Sequence, residues 1–127
     1  MLPLWEGFDE WAHYAVIQEV AGGHLLSQRE GRVSKEVEAS LRLAPWRPGE
    51  RDSRHAAYWQ LPDAARDQRR QAIRSIPQSW ASEAAPNGPR SYEAQQAPVY
   101  YWLLAPLYRL TEVLPLLSRV WFLRLAS

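Results

Sequence analysis

Residues 8–23 read FDEWAHYAVIQEVAGG, and this stretch predicts the helix around which the fold is built. Apolar side chains recur with the 3.6-residue period of an α-helix, at Phe8, Trp11, Ala12 and Ala15. The pair Gly22-Gly23 follows, and glycine readily takes the left-handed conformation that ends many helices. We therefore expect an amphipathic helix over residues 8–21.

Another face of this helix carries polar side chains. Asp9 and His13 lie one helical turn apart, and Glu10 borders them. Carboxylates at a helix N-terminus meet the positive end of the helix dipole, which favours their ionised forms. An ionised carboxylate there can act as a general base or bind a divalent cation together with His13. Acidic residues are also common in a first helical turn for stability alone, so both interpretations stand at this point.

Length and composition limit the class of protein. A chain of 127 residues suffices for a single domain with a modest core. Its 15 basic and 14 acidic residues are interspersed, so we expect no nucleic-acid partner. Cysteine is absent, which excludes disulfides and thiolate metal sites. Seven tryptophans and six tyrosines suit a lipid–water boundary or a protein interface, and they equally suit the core of a small domain.

The centre of the chain predicts two further helices. One is expected over residues 34–43, with Ser34 as its N-cap. The other is expected over residues 62–76, beginning at Pro62, and its surface is heavily charged. Residues 45–90 as a whole are rich in proline and arginine, which indicates loops around these elements.

The last part of the chain, residues 92–127, is dense in leucine, tryptophan and tyrosine. A proline inside a helix removes a hydrogen bond, so we expect short helices divided at Pro98, Pro106 and Pro115. Helices of this composition suit a bilayer interface, and a helical hairpin packed on the first helix is the alternative. The predicted fold class is mainly α: short amphipathic helices joined by proline-rich loops, with juxtamembrane-type helices at the C-terminus.

Three stretches together resemble one family. Residues 8–15 look like the Asp-Glu-x-x-His-Tyr segment that follows the first transmembrane helix of GT-C-type membrane glycosyltransferases, the enzymes related to protein O-mannosyltransferases and aminoarabinose transferases. Residues 92–104, YEAQQAPVYYWLL, are similar to the Glu-(Ala/Ser)-(His/Gln)-Gln-Pro-Pro-Leu-Tyr-Tyr segment near the end of the same loop. Residues 123–127, LRLAS, resemble the start of the next transmembrane helix. Residues 45–90 match nothing and form a variable insert.

The resemblance implies that residues 1–127 are the first extracytoplasmic loop of such an enzyme, at the outer face of a membrane. The parent would transfer a sugar from a polyprenyl-phosphate donor, with Asp9 as the catalytic acidic residue and Glu10 as its partner. The substrate site would be shaped by His13, Gln95, Gln96, Tyr100 and Tyr101. Ala97 and Val99 depart from the family's usual proline and leucine.

The implied partners are the lipid-linked sugar donor, the membrane surface and the remainder of the parent protein. The acidic motif leaves a divalent cation open as a cofactor. The chain lacks the membrane helices and later loops that bind the donor, so we expect it to be inactive alone.

Two other classes of function fit parts of the sequence. A small soluble helical module would dock a protein partner through exposed aromatic residues. A metal-dependent hydrolase would use Asp9, Glu10 and His13, although few further ligands are available. Binding to lipid vesicles distinguishes the membrane loop from the soluble module. A membrane loop is expected to bind vesicles through Trp102, Tyr108, Trp121 and Phe122.

Overall fold

The computed structural model is mainly helical, which confirms the predicted mainly α class. It describes residues 4–5, 9–24, 31–44, 58–90 and 98–126. Within them lie five α-helices and a short 3₁₀ helix (Gln78–Ser82): α1 (Glu10–Ala21), α2 (Lys35–Leu41), α3 (Asp63–Arg74), α4 (Pro98–Leu110) and α5 (Leu116–Ala126). These residues contain no strand, only isolated bridges that join Arg32 to Arg90 and Ser34 to Ala84.

Helix α1 lies in the core and is buried around most of its circumference. Eight of its 12 residues are buried: Trp11, Ala12, Tyr14, Ala15, Val16, Ile17, Gln18 and Ala21. The predicted apolar face is among them, except that Phe8 lies outside the described residues. Other sides of the helix are buried as well, and the most extensive packing is against α4. Helix α1 is therefore more deeply buried than a one-faced amphipathic helix.

The predicted helix ends are found at α1 and α2. The N–H of Gly22 donates to the Gln18 carbonyl at 2.9 Å, and Gly23 takes the left-handed φ of 101° that glycine tolerates. Ser34 caps α2, because its side-chain oxygen accepts the N–H of Val37 at 3.2 Å. Both helices are shorter than predicted, by two residues at one end of α1 and by less than a turn at each end of α2.

Helix α3 begins at Asp63, one residue after the predicted start at Pro62. Only Ile73 is buried in this helix, which confirms the prediction of a charged, solvated element. The helix packs on α5.

The prediction that Pro106 divides the C-terminal segment is wrong, because α4 continues through it to Leu110. The side chain of Pro106 is exposed, whereas Tyr101, Leu104, Ala105 and Tyr108 are buried. Burial of this inner side offsets the hydrogen bond that the proline removes on the outer side. Pro98 begins α4 and Pro115 directly precedes α5, so those two predicted boundaries are confirmed.

The large apolar side chains that remain exposed are concentrated in α4, α5 and the turn between them. Eight of the nine in the described residues lie there, and Trp59 is the ninth. We call these eight the hairpin surface: Val99, Tyr100, Trp102, Leu103, Leu110, Val113, Phe122 and Leu125. Of the predicted lipid contacts, Trp102 and Phe122 belong to this surface, and Trp121 is half-buried. The prediction that Tyr108 contacts lipid is wrong, because its side chain is only 2% exposed. No helix in the described ranges is both long enough and apolar enough to span a bilayer.

Candidate functional site

The packing of α1 on α4 brings the acidic segment to the tyrosine pair. The Nδ1 atom of His13 lies 2.9 Å from the Tyr101 hydroxyl, across 88 positions of sequence. The two rings are also stacked, with centroids 6.1 Å apart and an interplanar angle of 29°. Tyr101 is buried and His13 is half-buried, so two of the predicted substrate-site residues form one contact at the edge of the core.

Glu10 contacts the third stretch that carries the resemblance, residues 123–127. Its two carboxylate oxygens accept hydrogen bonds from Nε and Nη2 of Arg124, at 2.5 and 2.7 Å. The two side chains are 20% and 21% exposed. An arginine that binds both oxygens of a carboxylate fixes its orientation as well as its charge. Glu10 is therefore engaged in a two-point ion pair.

A small cavity of about 60 Å³ opens beside these contacts. Its lining combines four polar side chains with an apolar wall: Glu10, His13, Tyr100 and Arg124 against Trp5, Tyr14, Ile17, Leu104, Val120 and Leu123. A water molecule occupies about 30 Å³ in the liquid, so the cavity accepts one small group of a ligand rather than a whole ligand. The described residues around the cavity therefore enclose room for no more than one small group.

Asp9 stands at the start of α1 in an unusual backbone conformation. Its φ of 41° and ψ of 10° are left-handed, and its side chain makes no capping hydrogen bond to the helix. Aspartate tolerates this region better than most residues, but non-glycine residues adopt it uncommonly. The other such residue, Trp5 with a φ of 58°, also lies just before α1. Positive-φ strain in the described residues is thus concentrated around the acidic motif, as is common near functional sites.

Two of the predicted substrate-site residues cannot be placed relative to the others. Gln95 and Gln96 lie outside the described residues. No three histidine, aspartate or glutamate side chains in the described ranges group as metal ligands. Glu10 is bound to Arg124 and His13 to Tyr101, so the Asp9, Glu10 and His13 set of the hydrolase hypothesis does not form a ligand cluster.

A buried polar network is the feature that sequence reasoning missed. Arg119 and Glu36 are each about 1% exposed, and Arg119 Nη2 donates to the Glu36 carboxylate. The same guanidinium donates to the Tyr108 hydroxyl at 2.9 Å and to the Leu114 carbonyl at 3.0 Å. The pair therefore ties α2 to both helices of the C-terminal hairpin.

Gln18 extends this network to α1. Its Nε2 donates to Glu36 at 2.8 Å and to the Tyr108 hydroxyl at 3.1 Å, while its Oε1 accepts the Ser34 hydroxyl at 2.8 Å. The network therefore joins α1, α2, α4 and α5. Its longest-range bonds link Arg119 to Glu36, 83 positions apart, and Gln18 to Tyr108, 90 positions apart. The one local signal was a charged residue within the apolar run LLSRVWFL, residues 116–123.

Burial sets the titration of this network. Desolvation raises the pKa of the Glu36 carboxyl above its ordinary 4.5, and the Arg119 guanidinium offsets only part of that effect. Burial, and next the Glu36 carboxylate, raise the pKa of the Tyr14 hydroxyl well above its ordinary value. The folded chain therefore favours a proton on Glu36 more than the unfolded chain does.

The raised pKa of Glu36 gives a pH-dependent stability. The unfolded carboxyl titrates near 4.5 and the folded one at higher pH, so the folded state binds more proton between those values. We expect the stability contributed by Glu36 to be fully present below about pH 4.5 and to fall as pH rises to the folded pKa. Urea unfolding of the wild type and of Glu36→Gln across this window measures the difference. If the free energy of unfolding of the wild type rose with pH relative to that of Glu36→Gln, the raised pKa of Glu36 would be contradicted.

A larger cavity lies elsewhere and contains none of the predicted site residues. Its volume is about 210 Å³. It is bounded by the C-terminal half of α1, residues 32–34 and residues 81–84, and its charged side chains have both signs: Glu19 and Glu83 with Arg32. No aromatic ring except that of His24 lines it.

Comparison with known proteins adds no identification. No protein-family model matches the chain, and no curated protein or solved structure matches it. The assignment of function therefore depends on the residues and contacts described above.

Proposed function

We propose that this chain is the first extracytoplasmic loop of a GT-C-type membrane glycosyltransferase that uses a polyprenyl-phosphate sugar donor. One observation carries the proposal. The three stretches that resemble the family lie far apart in sequence, and their described residues contact one another at one place in the fold. His13 of the first contacts Tyr101 of the second, and Glu10 of the first is bound by Arg124 of the third. Described residues of all three stretches therefore contribute to one place in the structure.

In the proposed reaction Asp9 is the general base. Its carboxylate takes the proton of an acceptor hydroxyl or amine, whose oxygen or nitrogen forms a bond to the anomeric carbon of the sugar. The bond from that carbon to the polyprenyl phosphate breaks, and the phosphate leaves with the electron pair. Glu10 supports Asp9 from the adjacent position through its ion pair with Arg124. His13, Tyr100 and Tyr101 shape the edge of the substrate site.

The hairpin surface supports a position at the outer face of a membrane. On α4 its members Val99, Trp102, Leu103 and Leu110 recur at helical spacing and therefore share a face. Leu103 and Leu110 are 74% and 79% exposed. Exposed leucine beside tryptophan and tyrosine suits a helix lying in a lipid interface. The donor, the membrane surface and the rest of the parent would complete the site.

Binding of the chain to lipid vesicles tests this assignment. We expect the chain to sediment with phosphatidylcholine vesicles, and Leu103→Asp with Leu110→Asp to weaken binding by at least about tenfold, because each leucine loses its apolar transfer energy. The matched control is Gln68→Asp with Gln71→Asp, which adds the same charge to exposed positions of α3. The control should bind as the wild type does.

The alternative class gives a different result. The membrane-loop proposal would be contradicted if the wild-type chain did not bind vesicles. It would also be contradicted if the double leucine variant bound them as tightly as the wild type. A defined complex with a protein partner, lost in the same leucine variant, would then favour the soluble interaction module.

A further inference from the structure

The ion pair between Glu10 and Arg124 joins two places that are 114 positions apart. Glu10 is the first residue of α1, and Arg124 lies in the last turn of α5. Both side chains are about four-fifths buried, so the pair is shielded from water better than an ordinary surface salt bridge. Its two hydrogen bonds fix the direction from which the carboxylate is approached.

Glu10, the residue that Arg124 binds, directly follows Asp9 in the sequence. The Asp9 carbonyl accepts the N–H groups of Ala12 at 2.9 Å and His13 at 3.0 Å, so Asp9 and the first turn of α1 form one hydrogen-bonded unit. Asp9 itself is left-handed, a conformation that costs free energy and persists when its surroundings impose it. A two-point contact on the next residue is such a constraint.

We propose that Arg124 is a positioning residue of the acidic site. By binding both carboxylate oxygens of Glu10, it fixes the first turn of α1 and, through that turn, the left-handed conformation that presents Asp9. The relevance of this positioning to sugar transfer rests on the proposed function, whereas the geometric part concerns the chain alone. Lysine cannot replace this arginine fully, because an ammonium lacks the planar pair of donors.

Amide hydrogen exchange of the chain, measured for individual residues, tests the geometric part. We expect Arg124→Gln to accelerate exchange at Ala12 and His13 by at least about tenfold, because their bonds to the Asp9 carbonyl open more often. The Gly22 amide, which donates to Gln18 at the other end of α1, should keep its wild-type rate.

Arg109→Gln is the matched control. The Nε of Arg109 donates to the Ala21 carbonyl at 2.7 Å, so this variant also removes an arginine contact from α1, at its opposite end. We expect its effect to stay at Gly22 and to leave Ala12 and His13 unchanged. Unchanged exchange at Ala12 and His13 in Arg124→Gln would overturn the proposal. Equal acceleration at both ends would also overturn it, because that pattern indicates a general loss of stability.

A second variant keeps the test decisive if Arg124→Gln folds poorly. Arg124→Lys retains the positive charge and loses the two-point geometry, so a smaller acceleration confined to Ala12 and His13 is expected. Wild-type exchange in Arg124→Lys would show that charge alone suffices and would overturn the positioning role.

Transfer activity of a membrane enzyme that contains this chain separates the two proposals. Arg124→Gln is expected to lower kcat for transfer while the KM for the lipid-linked donor stays near its wild-type value. Lost protection at Ala12 and His13 with unchanged transfer would support the positioning role of Arg124 and remove Asp9 from the reaction. Unchanged protection would reject the positioning whatever the transfer rate.

Discussion

Arg119→Met is expected to lower the free energy of unfolding by about 3–5 kcal/mol, the usual cost of removing one member of a buried ion pair. The Glu36 carboxylate would stay about 1% exposed without its cation. The Tyr108 hydroxyl and the Leu114 carbonyl would each lose a donor. Methionine retains much of the aliphatic bulk of arginine, so the loss reports on the network rather than on a cavity.

Urea unfolding at neutral pH measures this effect. The control is Arg42→Met, because Arg42 pairs with Glu38 on the surface at 3.3 Å and its side chain is 76% exposed. An exposed helical pair of this kind contributes about 0.3–0.5 kcal/mol. Combining Arg119→Met with Glu36→Leu should recover part of the stability, because no buried charge is then left alone. Equal small losses in Arg119→Met and Arg42→Met would show that the network contributes little.

Under the proposed function, Asp9→Asn is expected to abolish sugar transfer by the parent glycosyltransferase. Positioned general bases contribute about 10²–10⁴-fold to a rate, and an amide cannot take the proton. Asparagine also tolerates the left-handed backbone, so the φ of 41° at this position adds little strain in the variant. The fold and the membrane insertion should therefore be unchanged.

The measurement compares transfer rates with circular dichroism and urea unfolding of the chain. Asp67→Asn serves as the control, since it removes the same charge from an exposed position of α3 where Asp67 pairs with Arg70. The control should transfer normally. Near-normal transfer by Asp9→Asn would remove Asp9 from the mechanism, and unfolding of that variant would instead assign it a structural role.

Local features of this fold could be read from the sequence because their causes are local. Ser34 caps α2 through a bond to a residue three positions on, and Gly23 supplies the left-handed residue after α1. The heavy charge of α3 likewise follows from its own composition. The error at Pro106 has a tertiary cause: the packing of α4 against α1 decides that the proline faces outward, where the helix tolerates it.

The candidate site depends on long-range pairing, which a local pattern does not contain. Asp9, Glu10 and His13 were found as an acidic helix start, and Tyr100 and Tyr101 came only from the resemblance. Neither the contact of Glu10 with Arg124 nor that of Glu36 with Arg119 could be predicted, because the partners are 114 and 83 positions apart. Many arginines in this chain are potential partners, and packing of the helices selects these two.

The Glu10–Arg124 pair also draws together the two ends of nearly the whole described chain. Whatever precedes Glu10 and follows Arg124 therefore departs from the same region of the fold. Under the proposed function both ends of the chain would be anchored in neighbouring membrane helices, and such a chain is a closed loop even when unfolded. Closing a ring of about 100 residues by a cross-link removes enough chain entropy to stabilise the folded state by about 4.7 kcal/mol in the simplest treatment. Anchorage of this kind would let a small core stay folded under denaturing conditions that would unfold the same chain with free ends.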